Sequence, residues 1–193
     1  MDVIRARRSV RTFDGKPLTA EDTAKIIEYA NKVENPYGLP IEWKLLNVKN
    51  DGVSSPVITG TDTFIAGKMK PAEHAEEAFG YAFEKIVLYA GSLGIGTTWI
   101  AGTMDRNAFE RAMNLEKDEV MPCVSPLGYP AAKMSFRETM MRKIARQENL
   151  FFLMPHMCVM DYSTIKYKGG KLIRGKTLGS GDDCCNFHVV KKE

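Results

Sequence analysis

The sequence predicts a domain that mixes α-helices with short β-strands, followed by a strand-rich tail. Three observations carry this reading. Residues 75–93 show an unbroken helical period. Short apolar runs bounded by turn residues alternate with helical stretches on either side of it. Beyond residue 150 the chain becomes a set of apolar runs separated by turn residues, among them the pair Gly169-Gly170.

Residues 2–8 form a short predicted helix, with Val3, Ile4 and Arg7 or Arg8 spaced along it, and Asp14-Gly15-Lys16-Pro17 is a turn. Thr19 with Asp22 three residues on approximates a capping box, Asp standing where Glu or Gln is usual. The helix it opens puts Ala24, Ile27 and Ala30 at helical spacing and ends before Asn35-Pro36. Ile41 to Val48 reads as a strand with Trp43, Leu45 and Asn47 on one face and Leu46 and Val48 on the other. Val57-Ile58 and Phe64-Ile65-Ala66 read as short buried strands.

Ala75, Ala78, Phe79, Ala82, Phe83, Ile86, Val87, Ala90 and Leu93 keep the spacing of a core helix, with Glu76, Glu77, Glu84 and Lys85 on its other face. Gly94 suits the residue after its C-terminus. Thr97 to Ala101 is then a strand, Asp105 caps a helix carrying Phe109, Ala112 and Met113, and Val120 to Leu127 is an apolar run closed by Gly128-Tyr129-Pro130. A basic amphipathic helix runs from Ser135 through Arg146. In the tail, Phe151 to Met154 is densely apolar, and Cys158 to Tyr167, Lys171 to Thr177 and Asp183 to Val190 read as strands, the first two joined at Gly169-Gly170.

Composition narrows the function classes. With 193 residues, 44% apolar and 26% charged, the chain can bury a full core without disulfides or structural metal. It has no run of about 18 apolar residues, so no transmembrane helix is expected. Its N-terminus lacks a signal-peptide core, so a cytoplasmic protein without a membrane partner is expected. Basic and acidic residues balance over residues 1–150, and the whole net charge of +3 lies beyond them. That balance argues against a general nucleic-acid binder. The four cysteines are expected to be reduced thiols. Cys123 is read as core, and His74, in a charged helix start, as a surface residue.

Arg7, Arg8 and Arg11 place three guanidiniums within five residues, beside the Ser9 hydroxyl. Arginine forks bind phosphate bidentately and a serine hydroxyl adds a hydrogen bond; the alternative is a solvated basic helix end. Gly94-Ile95-Gly96 is not a dinucleotide fingerprint, because it follows a helix and precedes a strand, the reverse of the required order. Val124 to Pro130 ends an apolar strand with a proline, a glycine and an aromatic. Such a bend either lays backbone groups against a planar ligand or simply terminates the strand.

Taken together, residues 1–143 resemble the nitroreductase family of flavoproteins, most closely its small branch. The resemblance lies in Ile4-Arg5-Ala6-Arg7-Arg8-Ser9-Val10-Arg11-Thr12-Phe13, in Ser55-Pro56-Val57-Ile58 with Gly60-Thr61-Asp62-Thr63-Phe64, in Leu88 through Ile100, and in Pro126-Leu127-Gly128-Tyr129-Pro130-Ala131. It implies an α+β fold with a central, mainly antiparallel sheet flanked by helices, and FMN bound at a homodimer interface. It further implies that Arg7, Arg8, Ser9 and Arg11 hold the flavin phosphate and ribityl chain. Pro126, Leu127 and Gly128 would lie along the isoalloxazine ring, and Lys133, Arg137 or Arg142 would complete the phosphate site. The chemistry implied is hydride uptake from NAD(P)H at flavin N5 and delivery to a small-molecule acceptor, with no acid–base side chain singled out.

From about residue 150 the chain instead resembles the C-terminal end of proteins like L-2-amino-thiazoline-4-carboxylic acid hydrolase, in Asp161-Tyr162, Lys176-Thr177-Leu178-Gly179 and Gly181 through His188. Residues 1–146 are therefore expected to be a nitroreductase-like FMN-binding domain that stops short of the family's usual end. Residues 147–193 are expected to be an appended β-hairpin or small sheet derived from a fused fragment. A metal site is another reading of the tail, since His156 and Cys158 share a strand face, as do Cys184 and His188; the alternative is a hairpin with partly buried thiols, and no metal is expected. The leading function is an FMN-dependent NAD(P)H oxidoreductase acting on nitroaromatic, quinone or similar acceptors, in full or impaired form. The alternatives are a non-catalytic flavin-binding relic of a gene fusion and, from the tail alone, a hydrolase.

Overall fold

The computed structural model describes residues 2–136, 138 and 139, together with the backbone of residues 170–176 and 186–191. The chain divides into two units, Met1–Ser135 and Phe136–Glu193. The first has the element order α1 (Asp2–Ala6), α2 (Ala20–Lys32), β1 (Glu42–Asn47), α3 (Val48–Asp51), β2 (Thr63–Lys68), α4 (Ala75–Ser92), α5 (Arg106–Ala112) and β3 (Val124–Leu127). Its strands form one sheet, β1-β2-β3, antiparallel throughout. In the second unit β4 (Gly170–Lys176) pairs antiparallel with β5 (Asn186–Lys191), with a register shift between Ile173 and Lys176. The architecture is α+β, with an antiparallel sheet and flanking helices, and the tail contributes a small sheet of its own.

The sheet has a core on each face. Along β1 successive side chains alternate sides. Trp43 and Leu45 join the larger core with Phe79, Phe83 and Ile86 of α4, while Leu46 and Val48 join the other with Phe64, Phe109 and Met113. The two faces predicted for this strand are the two observed. α4 buries eight residues from Ala75 to Ala90, all on the predicted stripe. Trp43, Phe79 and Phe83 form an aromatic group in which Trp43 and Phe83 stack at 5.7 Å. Thr19 Oγ1 accepts the Asp22 N–H at 3.0 Å, the predicted N-cap of α2, and Asp105 accepts from Ala108 N to cap α5.

Three expectations need correction. In α2 the buried residues are Ile26 and Ala30, with Tyr29 and Val33 packed partly against the same core, so the stripe is rotated by one residue and Ala24 is exposed. Val57-Ile58 is a turn, closed by Ile58 N donating to Ser55 O, and not a strand. The stretch from Thr97 to Ala101 makes isolated bridges, Thr97 to Ser9 and Ile100 to Val124, in place of a continuous ladder, because its neighbours change along its length. Among the described residues β4, which opens at Gly170, pairs with β5, the two strands predicted over Lys171 to Thr177 and Asp183 to Val190. Residues 158–167 and most of the helix predicted from Ser135 lie outside the described residues.

Lys68, near-fully buried at the end of β2, is neutralised by Glu119 at 2.9 Å and Glu42 at 3.4 Å, and also donates to Asn114 O. The Glu119 hydrogen bond, working against burial, holds its ammonium above the usual lysine range. Among the described residues no helix is long and apolar enough to cross a membrane.

Candidate functional site

The arginine-rich start is held in place by its backbone. Arg7 N bonds Val3 O and closes the last turn of α1. The chain then becomes extended. Val10 N bonds Thr97 O at 2.9 Å, Thr59 N bonds Arg11 O, Phe13 N bonds Thr59 O, and Ala131 N returns to Thr12 O. Val10 and Phe13, at 7% and 4% exposure, are the apolar anchors of this stretch, while the positions between them carry the polar side chains. Ser135 closes the same corner with hydrogen bonds to Thr12 Oγ1.

Opposite lies the end of α4. Gly94 adopts φ +76°, a left-handed conformation that glycine enters without the Cβ penalty, and so stops the helix as predicted. Gly96 has a different reason to be glycine. A Cβ there would stand 2.9 Å from Val10 Cβ, so the N-terminal stretch lies directly on its backbone. Gly96 N also bonds Gly128 O at 2.7 Å.

Between these walls is a cleft of about 370 Å³, within the size range of small-molecule pockets. Val3, Ala6, Val10, Ile95 and Pro130 give it apolar sides, Gly91, Gly94 and Gly96 line it with backbone free of side chains, and Arg7, Arg8, Ser92 and Thr97 give it polar groups. Arg8 is exposed and makes no ion pair with any described residue. Arg7 is largely buried, with its Nε 3.3 Å from Glu84 Oε1 on α4. The Ser92 hydroxyl donates to Tyr89 O at 2.6 Å, so the donor set lining the apolar slot is two guanidiniums and the Thr97 hydroxyl. That suits a ligand with an anionic head and a flat apolar body.

The predicted residues therefore separate. Arg7 and Arg8 come together in the cleft wall. Ser9 and Arg11 are half-buried beside it, Ser9 bridged to Thr97. Pro126 and Leu127 lie in β3, paired with Phe64 and Thr63, and Leu127 is wholly buried in the core. Gly128 is bridged to Gly96, and it is Pro130, two residues on, that reaches the cleft. Lys133 is exposed; Arg137 and Arg142 lie outside the described residues, as do His156, Cys158, Cys184 and Cys185. Among the described residues no group of His, Cys, Asp and Glu is arranged to hold a metal. Cys123 is buried, and desolvation pushes its thiol up to about 12 despite nearby Arg106, as expected for a core cysteine. His74 is a half-exposed helix cap stacked on Tyr37.

Not read from the sequence were Ser92, Thr97 and Pro130 in the wall, and the contacts behind Arg7, where Glu84 also accepts the Trp99 Nε1–H at 2.9 Å. The Gly94-Ile95-Gly96 pattern was the available signal for the wall. Its value lay in close approach of two backbones rather than in a nucleotide motif.

An antiparallel α+β sheet with an arginine-marked cleft beside its central helix defines the class of protein. The chain belongs to the family described as Putative TM nitroreductase, whose model matches residues 1–150. Residues 130–189 are similar to the L-2-amino-thiazoline-4-carboxylic acid hydrolase family. No curated protein matches the chain. Among solved structures it is similar to a nitroreductase family protein from Clostridium novyi NT, at 21% identity and TM-score 0.55 over 68% of this chain and 84% of that one. It is likewise similar to an FMN-dependent nitroreductase from Clostridium difficile R20291, at 19% identity and TM-score 0.56 over 69% and 88%. An iodotyrosine deiodinase bound to FMN and 3-iodo-L-tyrosine matches at 16% identity and TM-score 0.56 over 69% and 91%. These likenesses establish the fold.

Proposed function

We propose that this chain is an FMN-dependent oxidoreductase that takes reducing equivalents from NAD(P)H and passes them to a nitroaromatic, quinone or similar small acceptor, working as a homodimer. The observation that carries the proposal is the cleft whose lining joins Arg7 and Arg8 to the apolar side chains of Val3, Ala6, Val10, Ile95 and Pro130. Family membership supports it, and so do the FMN-binding proteins among the structural relatives.

The residues present fit the cofactor. Arg8 has no carboxylate neighbour among the described residues, which leaves its fork for an oxyanion, while Arg7, its buried Nε beside Glu84, has only the outer edge of its guanidinium to add. Arg7 and Arg8 would hold the phosphate, with Ser9 and Arg11 as the adjoining frame. The backbone of Gly94–Thr97 and the side chains of Val10 and Pro130 would line the rest. FMN supplies the two-electron hydride chemistry when bound. The protein's own contribution is to hold the phosphate, orient the ligand and keep water from its apolar wall. We place the FMN-binding domain at residues 1–146 and the appended segment at 147–193.

A second reading is favoured by the hydrolase-like match, which begins at residue 130 and overlaps the end of the nitroreductase match: a flavin binder without turnover. One measurement separates the two. The purified full chain is titrated with FMN, then assayed for NAD(P)H oxidation with a nitroaromatic or quinone. Flavin uptake with turnover supports the oxidoreductase, uptake without turnover supports the binder, and a chain that takes up no flavin overturns both.

A further inference from the structure

We infer that Glu84 is a positioning residue that presents Arg7 to an oxyanion, and that Trp99 in turn fixes Glu84. This rests on the reading above, that the cleft receives the FMN phosphate. Glu84 stands on the outer face of α4, 41% exposed, yet both of its oxygens are engaged. Oε2 accepts the Trp99 indole N–H at 2.9 Å, and Oε1 lies 3.3 Å from Arg7 Nε.

An exposed ion pair of this kind ordinarily contributes little, because two mobile side chains must be ordered to form it. Here both partners are already ordered. The Trp99 ring stands edge-on to Phe83, with centroids 4.7 Å apart at 78°, and Phe83 is fully buried. Arg7 is 21% exposed, and its backbone N–H is tied to Val3. Thr97, two residues before Trp99, bonds the backbone of Val10, three residues after Arg7. Both ends of the chain Phe83–Trp99–Glu84–Arg7 are therefore built on one frame.

The Arg7 contact is directional in its effect. Nε is buried and makes no aligned hydrogen bond, so the carboxylate balances its charge without capturing the fork. Neither terminal nitrogen of Arg7 bonds a described residue. A guanidinium held on its Nε side keeps its two outer N–H groups for a bidentate oxyanion. Without the carboxylate, a largely buried cation loses its counter-charge and turns toward water.

The test compares FMN with riboflavin, which has the same ring and ribityl chain but no phosphate. Both are titrated into the full chain as wild type, Glu84→Gln, Trp99→Phe, Arg7→Ala and the Glu84→Gln/Arg7→Ala double variant, with circular dichroism as the control for folding. Glu84→Gln is expected to weaken FMN binding by about five-fold or more, the scale of one orienting hydrogen bond, and to leave riboflavin unchanged. In the Arg7→Ala background it is expected to add nothing. Trp99→Phe keeps an aromatic ring against Phe83 but removes the N–H, and is expected to fall between wild type and Glu84→Gln. Equal losses for FMN and riboflavin, tighter FMN binding, or an undiminished Glu84→Gln effect without Arg7 would each overturn the role of Glu84 while leaving the FMN site standing. A wild type that does not distinguish FMN from riboflavin overturns the phosphate site, and Glu84's role with it.

Discussion

The Tyr129 hydroxyl donates a 2.5 Å hydrogen bond to Asp22 Oδ2, joining residues 107 positions apart. The Tyr129 hydroxyl oxygen in turn accepts the Thr19 N–H at 3.3 Å, and the Tyr129 carbonyl accepts the Asp14 N–H. One residue therefore pins the exit of β3 to the N-terminus of α2 and to the turn before it. It stands between Gly128, which bridges to Gly96, and Pro130, which reaches the cleft. Thr19 and Asp22 resemble a local capping box, but only half of the box forms. Thr19 Oγ1 caps Asp22 N, while the Asp22 carboxylate is taken by Tyr129 instead of returning to Thr19.

That diversion has a pH signature. The Tyr129 hydrogen bond, then that to Thr19, hold the Asp22 carboxyl below its ordinary value of 3.8. A group whose folded value is depressed stabilises the fold above its unfolded value, and the stabilisation is lost as pH falls through the folded value. Tyr129→Phe is expected to lower the melting temperature by a few degrees at pH 7 and by less below pH 3.8, where the wild type is itself losing the contribution. Melting curves between pH 7 and the acid transition check this. A Tyr129→Phe deficit that stays constant across that range would show that Asp22 is not the partner that matters.

Gly96→Ala tests the close approach that seats the arginine-bearing stretch. The added methyl meets Val10 at 2.9 Å, and Gly96 N also carries the bond to Gly128 O. Overpacking of this kind typically costs about 1–3 kcal/mol. Val10→Ala in the same chain should recover part of that loss, giving a coupling in a double-mutant cycle read by denaturant unfolding. Additive losses would mean that Val10 is not what Gly96 accommodates.

What the sequence disclosed and what it withheld follow one physical line. α4 is read residue by residue because its burial is periodic and each apolar position repeats every three or four residues along one chain segment. The split of Trp43 from Leu46 is legible for the same reason, with period two. The broken bridging of Thr97 to Ala101 depends on Ser9 and Val124, partners too far along the chain for any local window to contain. The Val57-Ile58 turn, by contrast, is closed locally on Ser55, and Pro56 was its available signal. At the site the guanidiniums of Arg7 and Arg8 are visible as a charge cluster. The Glu84 to Trp99 bond is not, because Glu84 looks like any solvated position on α4's outer face until the fold places an indole N–H beside it.

Cys123 should behave as a core thiol. At 5% exposure, with its thiol pushed up to about 12 by desolvation, it carries almost no thiolate at pH 8. In a chain with Cys158, Cys184 and Cys185 replaced by Ser, a disulfide exchange reagent is expected to leave Cys123 unmodified for hours in buffer and to label it fully in denaturant. Prompt labelling of the folded protein would contradict the packing around β3.

Arg8→Ala bears most directly on function, because Arg8 lines the cleft and faces no carboxylate among the described residues. Its guanidinium is therefore available to an incoming oxyanion without first giving up a partner. A hydrogen bond to a charged group contributes about 1.5–3 kcal/mol, so its loss should weaken FMN by about 10- to 150-fold. Riboflavin has no phosphate for Arg8 to meet, and its affinity should not change. Arg8→Lys keeps the charge but loses the planar fork, and should recover only part of the FMN affinity. Raising salt should compress the difference between Arg8→Ala and wild type, since an exposed cation is screened over about 8–10 Å at physiological ionic strength. Equal losses for FMN and riboflavin would move Arg8 from the phosphate to the body of the ligand, and full rescue by lysine would show that charge alone, without the fork, is what the cleft requires.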